Sequence, residues 1–236
     1  MKRKFKHYPT EISPAFVAIA VLFVCFLMIS NIIVNRLVLF FGLVLNGDLF
    51  LFSFTYIFGD VLTEVYGFKR SRLVIWLGFA ANIIMAIYFT LILHLPYPKE
   101  FVDNNAFTIV LSSTPIIVFA SITAYFFGEF SNSTTLSILK KKTHGKYLWV
   151  RTICSTLVGQ VADTATFMLI AFHWLPLEVL IQLMVVAYVY KVSYEILATP
   201  LTYFIIKHLK NYEKLDTYDY GEKYNPFSVS IEKGDK

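Results

Sequence analysis

Asp60 and Glu64 stand four residues apart in an otherwise apolar stretch, Ser53 to Arg72. On a helix that spacing sets both carboxyls on one face, a turn apart. A second set is Thr156, Gln160 and Asp163, spaced i, i+4, i+7 and so again on one face, with Gly159 beside them. Lys191 and Glu195 form a third set, also four apart. Asn31 and Asn35 share a face, and Arg36 follows. A charged side chain at membrane depth costs about 2.5–3.5 kcal/mol on insertion scales, so such residues turn inward and serve a solute path or a proton relay. Each set also has a plainer reading. Glu64 could be a helix-end ion pair with Lys69 and Arg70. Asp163 could hold a neighbouring helix or pair with Lys191. Lys191 could neutralise Glu195 along its own helix, or bridge to Asp163 or Asp60 and leave Glu195 for a solute. Asn35 is a further candidate for solute contact, with helix–helix hydrogen bonding as the alternative.

The chain has no P-loop, HExxH, CxxC or GxSxG pattern, which argues against nucleotide hydrolysis by that route and against an enzyme. The five histidines lie mainly in loops or tails without ligand spacing, so neither a metal site nor a cofactor is expected. Cys25 and Cys154 read as packing residues rather than a disulfide.

Elements that could position these groups follow from composition. The chain is 236 residues long, 57% hydrophobic and only 16% charged. Soluble domains run near about 25% charged, and one core of this length could not bury so much apolar surface. Apolar runs predict six membrane helices, over about Pro14–Leu39, Phe40–Glu64, Leu73–Leu93, Phe107–Glu129, Leu148–Trp174 and Val179–Ile206. Pro115 predicts a kink in the fourth, and Pro200 one in the sixth, a turn beyond Glu195. Trp76, Trp149 and Trp174 are placed at helix ends. The organisation is a tail over 1–13, a membrane domain over 14–206, and a polar, mobile tail over 207–236. Eighteen of the 21 Lys and Arg fall in the two tails, the loop after the second helix and the segment leading into the fifth. The positive-inside rule then predicts an all-α, polytopic membrane protein with both termini cytoplasmic. Net charge is +5, but its clustering fits orientation in a bilayer, and no nucleic-acid partner is expected. Phe58-Gly59-Asp60 and Phe127-Gly128-Glu129 resemble each other, a match too short to outweigh chance.

Three motifs in order carry a family resemblance: Asp60, Glu64, Tyr66 and Gly67 before basic residues; Arg151-Thr152, Ser155-Thr156, Gly159-Gln160 and Asp163; and Lys191, Glu195 and Thr199-Pro200. With them the chain resembles the queuosine precursor transporters, also called the vitamin uptake transporter family. The resemblance covers about Ala15 to Lys207. It implies a six-helix protein of the bacterial inner membrane that imports a 7-deazaguanine: preQ0, preQ1 or queuine. The implied partners are a small nucleobase-like substrate and the lipid bilayer, and a homodimer is compatible. Asp163 or Glu64 would take the guanidine-like edge with Gln160 beside it, since a carboxylate accepts two donors together. Asp60, Lys191 and Glu195 would form a charge network that sets the pocket or couples a proton. The alternative is the substrate-binding subunit of an energy-coupling-factor transporter. Many of those subunits carry small residues four apart on the first helix, whereas here Ala15 is followed by Ile19.

Overall fold

In the computed structural model, residues 12–34, 36–40, 43–98 and 102–218 are described. Asn35 lies outside them. The first helix, α1 (Pro14–Ile33), begins as its sequence dictates: Ser13 caps it, the Phe16 backbone N–H donating to Ser13 Oγ at 3.1 Å, and Pro14 sits in the first turn. It ends earlier than its apolar run. A β-hairpin follows, β1 (Leu37–Phe40) paired antiparallel with β2 (Leu43–Asn46), Leu37 opposite Asn46. The expected helix-to-helix turn is therefore a two-stranded cap. Apart from Asn46 its strand residues are Val, Leu and Phe, which serve a hairpin as well as a helix end.

α2 (Leu49–Val61) runs on into one π-helical turn, Leu62–Tyr66. Gly67 then reverses the backbone at φ 87°, a region where other residues carry a steric penalty. α3 (Phe68–His94) starts at once, so the basic residues Lys69, Arg70 and Arg72 lie in its first turns, not in a loop. A short α4 (Asn104–Leu111) leads to α5 (Thr114–Lys142). Pro115 opens α5 instead of kinking it, because proline lacks only an N–H that the first turn does not use. α5 also continues 13 residues beyond Glu129, through the polar stretch read as an extension and into the lysines. α6 (Leu148–Ala171) and α7 (Leu177–Glu213) complete the chain. α7 contains Pro200 and runs seven residues past Ile206. The segment after it is not loose as far as it is described: Leu215 and Thr217 are buried.

Six helical spans are long and apolar enough to cross a bilayer, α4 and α5 together forming one of them. The protein is an all-α, multi-pass membrane protein. α1, α3, α5, α6 and α7 adjoin in that order, and α2 closes the ring between α7 and α1 while touching α5. The span Leu49–Tyr66, α2 with its π turn, is 78% buried, against 17% for the most apolar window of α7. That contrast makes α2 the central helix and α7 the most lipid-facing. Its face packs through edge-to-face rings, Phe52 on Tyr56 and on Tyr125, and Phe79 on Tyr125, with centroids 5.7–6.1 Å apart. Trp76 packs inside α3 against Phe79 and Phe126 rather than at a helix end. Cys25 and Cys154 are free, and Cys25 is exposed on the outer face.

The junction of α2 with α3, the α5–α6 loop and the end of α7 share one end of the bundle, tied together by the ion pairs described below. This is the basic end. The hairpin lies at the other.

Candidate functional site

The interior polar residues fall into two tiers. At the basic end Glu64, in the π-helical turn, is fully buried. Its Oε1 takes Lys210 Nζ at 2.7 Å, Arg151 Nη2 at 3.1 Å and Lys140 Nζ at 3.6 Å. These three cations come from α7, α6 and α5, so one carboxylate joins four segments. Lys69 and Arg70, the partners expected from sequence, are not among them. Lys140 also donates to the Glu64 backbone carbonyl at 2.7 Å and to the Thr217 carbonyl at 2.5 Å. The first of these satisfies a carbonyl of the widened π turn. Asp216 bridges Lys140 at 3.0 Å and Lys210 at 2.9 Å, which seats the segment after α7 on the cluster. Burial works against the Asp216 charge, but the two ammonium groups outweigh it and hold the carboxyl below its usual range. A groove of about 610 Å³ opens here, lined by Glu64, Arg151 and Lys210 with Tyr147, Trp149 and Tyr203.

One turn deeper lies the second tier. Asp60 accepts from Asn132 Nδ2 at 2.9 Å and faces Glu195. Lys191 donates to Asp163 Oδ2 at 2.7 Å, and its ammonium sits 4.6 Å above the Phe52 ring. Of the pairings open to Lys191, the structure has Asp163, on another helix, which leaves Glu195 without a cation among the described residues. Glu129 is fully buried and accepts from Ser133 Oγ at 3.1 Å. Gln160, Thr156 and Thr164 are buried along the α6 face. Asp60 Oδ2, Glu129 Oε2, Glu195 Oε1, Gln160 Oε1 and Asn132 Oδ1 are all buried and have no hydrogen-bond partner among the described residues. These five are acceptors, and the hydroxyls of Tyr56, Tyr125, Thr156 and Thr164 are also buried there without a partner among the described residues. Close packing holds the tier together. A Cβ on Gly128 would meet the Asp163 side chain, the Tyr56 hydroxyl and the Gly159 carbonyl, so only glycine lets α5 lie this near α6.

Toward the hairpin end, Asp163 and Lys191 line a cavity of about 20 Å³ with Asn31, Asp48 and Ser121. That is room for about one water molecule. Asn31 donates to Asn82 Oδ1 at 2.6 Å and so ties α1 to α3. Asn35 falls outside the described residues, and Arg36 is exposed.

The structure thus gathers Asp60, Gln160, Asp163, Lys191 and Glu195, and sets Glu64 in a separate cation-bound cluster. It adds Glu129, Asn132, Lys140 and Lys210, which sequence reasoning passed over. The resemblance between the two Phe-Gly-acid triplets was a signal for Glu129: a Cβ on Gly59 would collide with its carboxylate.

Residues 47–205 match the family described as "Putative vitamin uptake transporter". The chain belongs to the vitamin uptake transporter family. A relative from Bacillus subtilis (strain 168), named "Probable queuosine precursor transporter", is 25% identical over 187 residues, 78% of this chain and 82% of the relative. No solved structure matches the chain. Membership makes this vitamin uptake family chain a membrane transporter of small molecules, and its buried polar tier sits where the matched region is continuous, from α2 to α7.

Proposed function

We propose that the chain imports a 7-deazaguanine precursor of queuosine across the bacterial inner membrane, with both termini in the cytoplasm. The observation that carries this reading is the set of unpartnered acceptors in the deeper tier. A deazaguanine presents the complementary pattern, ring and exocyclic N–H donors on one edge beside a flat apolar face. Carboxylate and amide oxygens read such edges. The relative's name gives independent support.

In this reading Asp163 takes the donor edge, with Gln160 on the same face serving the rest of the base. Lys191 orients Asp163 until the substrate arrives. Asp60 and Glu195 lie across the site and form its other wall. Glu64 serves as a gate rather than a substrate contact, because three cations from three helices hold its Oε1. It closes the path between the groove and the deeper tier. A bicyclic base cannot occupy a 20 Å³ cavity, so helices must part on the hairpin side to admit it. The Glu64 cluster must then break to release it. This is alternating access around a fixed site.

Uptake of radiolabelled preQ1 by cells carrying Asp163→Asn, against wild type and Glu64→Gln, tests the assignment. Asp163→Asn is expected to lose saturable uptake through a weaker substrate affinity, and Glu64→Gln to lower the maximal rate without that change. Wild-type uptake in Asp163→Asn sinks the reading.

A further inference from the structure

The deeper tier does not balance its charge. Four carboxyls, Asp60, Glu129, Asp163 and Glu195, are each nearly or fully buried. Among the described residues one cation, Lys191, lies with them, and it is engaged with Asp163. Among the described residues no Lys or Arg lies within ion-pair distance of Asp60, Glu129 or Glu195. The elements packed around these three contribute Tyr56 from α2, Glu64 from the π turn, Tyr125, Asn132 and Ser133 from α5, Gln160 and Asp163 from α6, and Lys191 from α7. Three further cations, Lys140, Arg151 and Lys210, are held by Glu64 a turn away, and Arg72 is buried on α3.

An uncompensated charge in a bilayer interior is costly, so the three remaining carboxyls need a positive counterpart. A divalent metal ion is a poor candidate. Among the described residues no cluster of three or more acidic, His or Cys side chains converges as metal ligands. Protons need no such convergence. Asp60 and Glu195 face each other within hydrogen-bonding reach across α2 and α7, and Glu129 lies beside the Tyr125 and Ser133 hydroxyls. Two facing carboxyls are compatible when one supplies an O–H.

We propose that Asp60, Glu129 and Glu195 form a proton-carrying site, and that the transporter is a proton symporter. The coupling rests on the import reading above; the proton site itself does not. When the hairpin side opens, a carboxylate oxygen of the triad forms an O–H bond with a proton from the outer solution. The substrate binds beside it at Asp163 and Gln160. When the Glu64 cluster parts, the O–H bond breaks and the proton passes to cytoplasmic water, together with release of the base. One proton enters with each substrate, and no other co-reactant is needed. Gly59 and Gly128 bring Glu129 against α2 and α6, so a shift of α5 changes the surroundings of the triad and of the substrate site together.

Infrared difference spectroscopy of the purified full chain in lipid tests the proton site without any substrate. Between neutral and alkaline pH the carbonyl band of protonated carboxyls should appear, shift in heavy water, and lose intensity in Glu129→Gln and in Glu195→Gln. Absence of the band at neutral pH overturns the proposal. So does a band unchanged in both variants and in Asp60→Asn. If Glu129→Gln fails to fold, the wild-type band and Glu195→Gln decide. A second arm uses proteoliposomes with a pH dye inside and radiolabelled preQ1 outside. Acidification of the lumen during uptake supports symport. Uptake without acidification, or uptake that requires sodium instead, overturns it. A triad band that behaves as expected while preQ1 fails to enter supports the proton site and contradicts the substrate reading.

Discussion

Asp163 and Lys191 are the pair on which the interior turns. Removing one partner of a buried ion pair leaves the other charge unmatched and typically costs about 3–5 kcal/mol. Lys191→Met is therefore expected to lower thermal stability in detergent more than the double variant Lys191→Met with Asp163→Asn, which removes both charges. A thermal-shift comparison checks this, and equal losses would mean that the pair is not coupled. Gly128→Ala should also destabilise, by about 1–3 kcal/mol for an overpacked contact, because its Cβ would enter the Asp163 side chain. At this scale the sequence was informative. Asp60, Asp163, Lys191 and Glu195 stand out as charges in apolar runs, and all four meet in the interior. Partners were less legible. Glu64 is flanked by Lys69 and Arg70 in sequence, yet its partners come from 76, 87 and 146 residues away. Local spacing cannot reveal pairings made by the packing of distant helices.

Among the elements, α5 and α7 differ most from their apolar runs. Hydropathy ends them at Glu129 and Ile206, but the helices continue because their next turns find partners at the basic end: Lys140 and Lys210 on Glu64 and Asp216. Polar residues that pair inside the bundle look, in sequence, like a loop. Glu129 was overlooked for the same reason, since a helix end at that residue would leave it in the interface. The segment after α7 acts as a latch, with Leu215 and Thr217 buried and Asp216 shared by two lysines. Asp216 has a lowered carboxyl pKa when docked. Its contribution is thus present above the ordinary carboxylate range and is lost as pH falls through the lower, docked value. Protease cleavage after α7 should accelerate only at acid pH in wild type, and at neutral pH already in Asp216→Asn. Equal cleavage of both proteins at neutral pH would contradict the latch.

The whole molecule is a six-span bundle with a basic end and a hairpin end. The number of spans was legible from apolar runs alone, because a bilayer of fixed thickness dictates the length of each. The hairpin was not, since its apolar residues suit strand and helix alike. Orientation follows from the proposal that the basic end is cytoplasmic. With Cys25 and Cys154 replaced, a single cysteine at Leu39 should react with an impermeant maleimide added outside intact cells. One at Tyr147 should react only after the membrane is opened. The reverse pattern would invert the transport direction. The central claim, import of a 7-deazaguanine through the acceptor-rich interior, is tested most directly by uptake of radiolabelled preQ1 into proteoliposomes containing only this purified chain. The expected result is saturable uptake above empty liposomes, displaced by unlabelled preQ0 or queuine and absent in Asp163→Asn. Uptake no greater than in empty liposomes, or equal in Asp163→Asn and wild type, would contradict it.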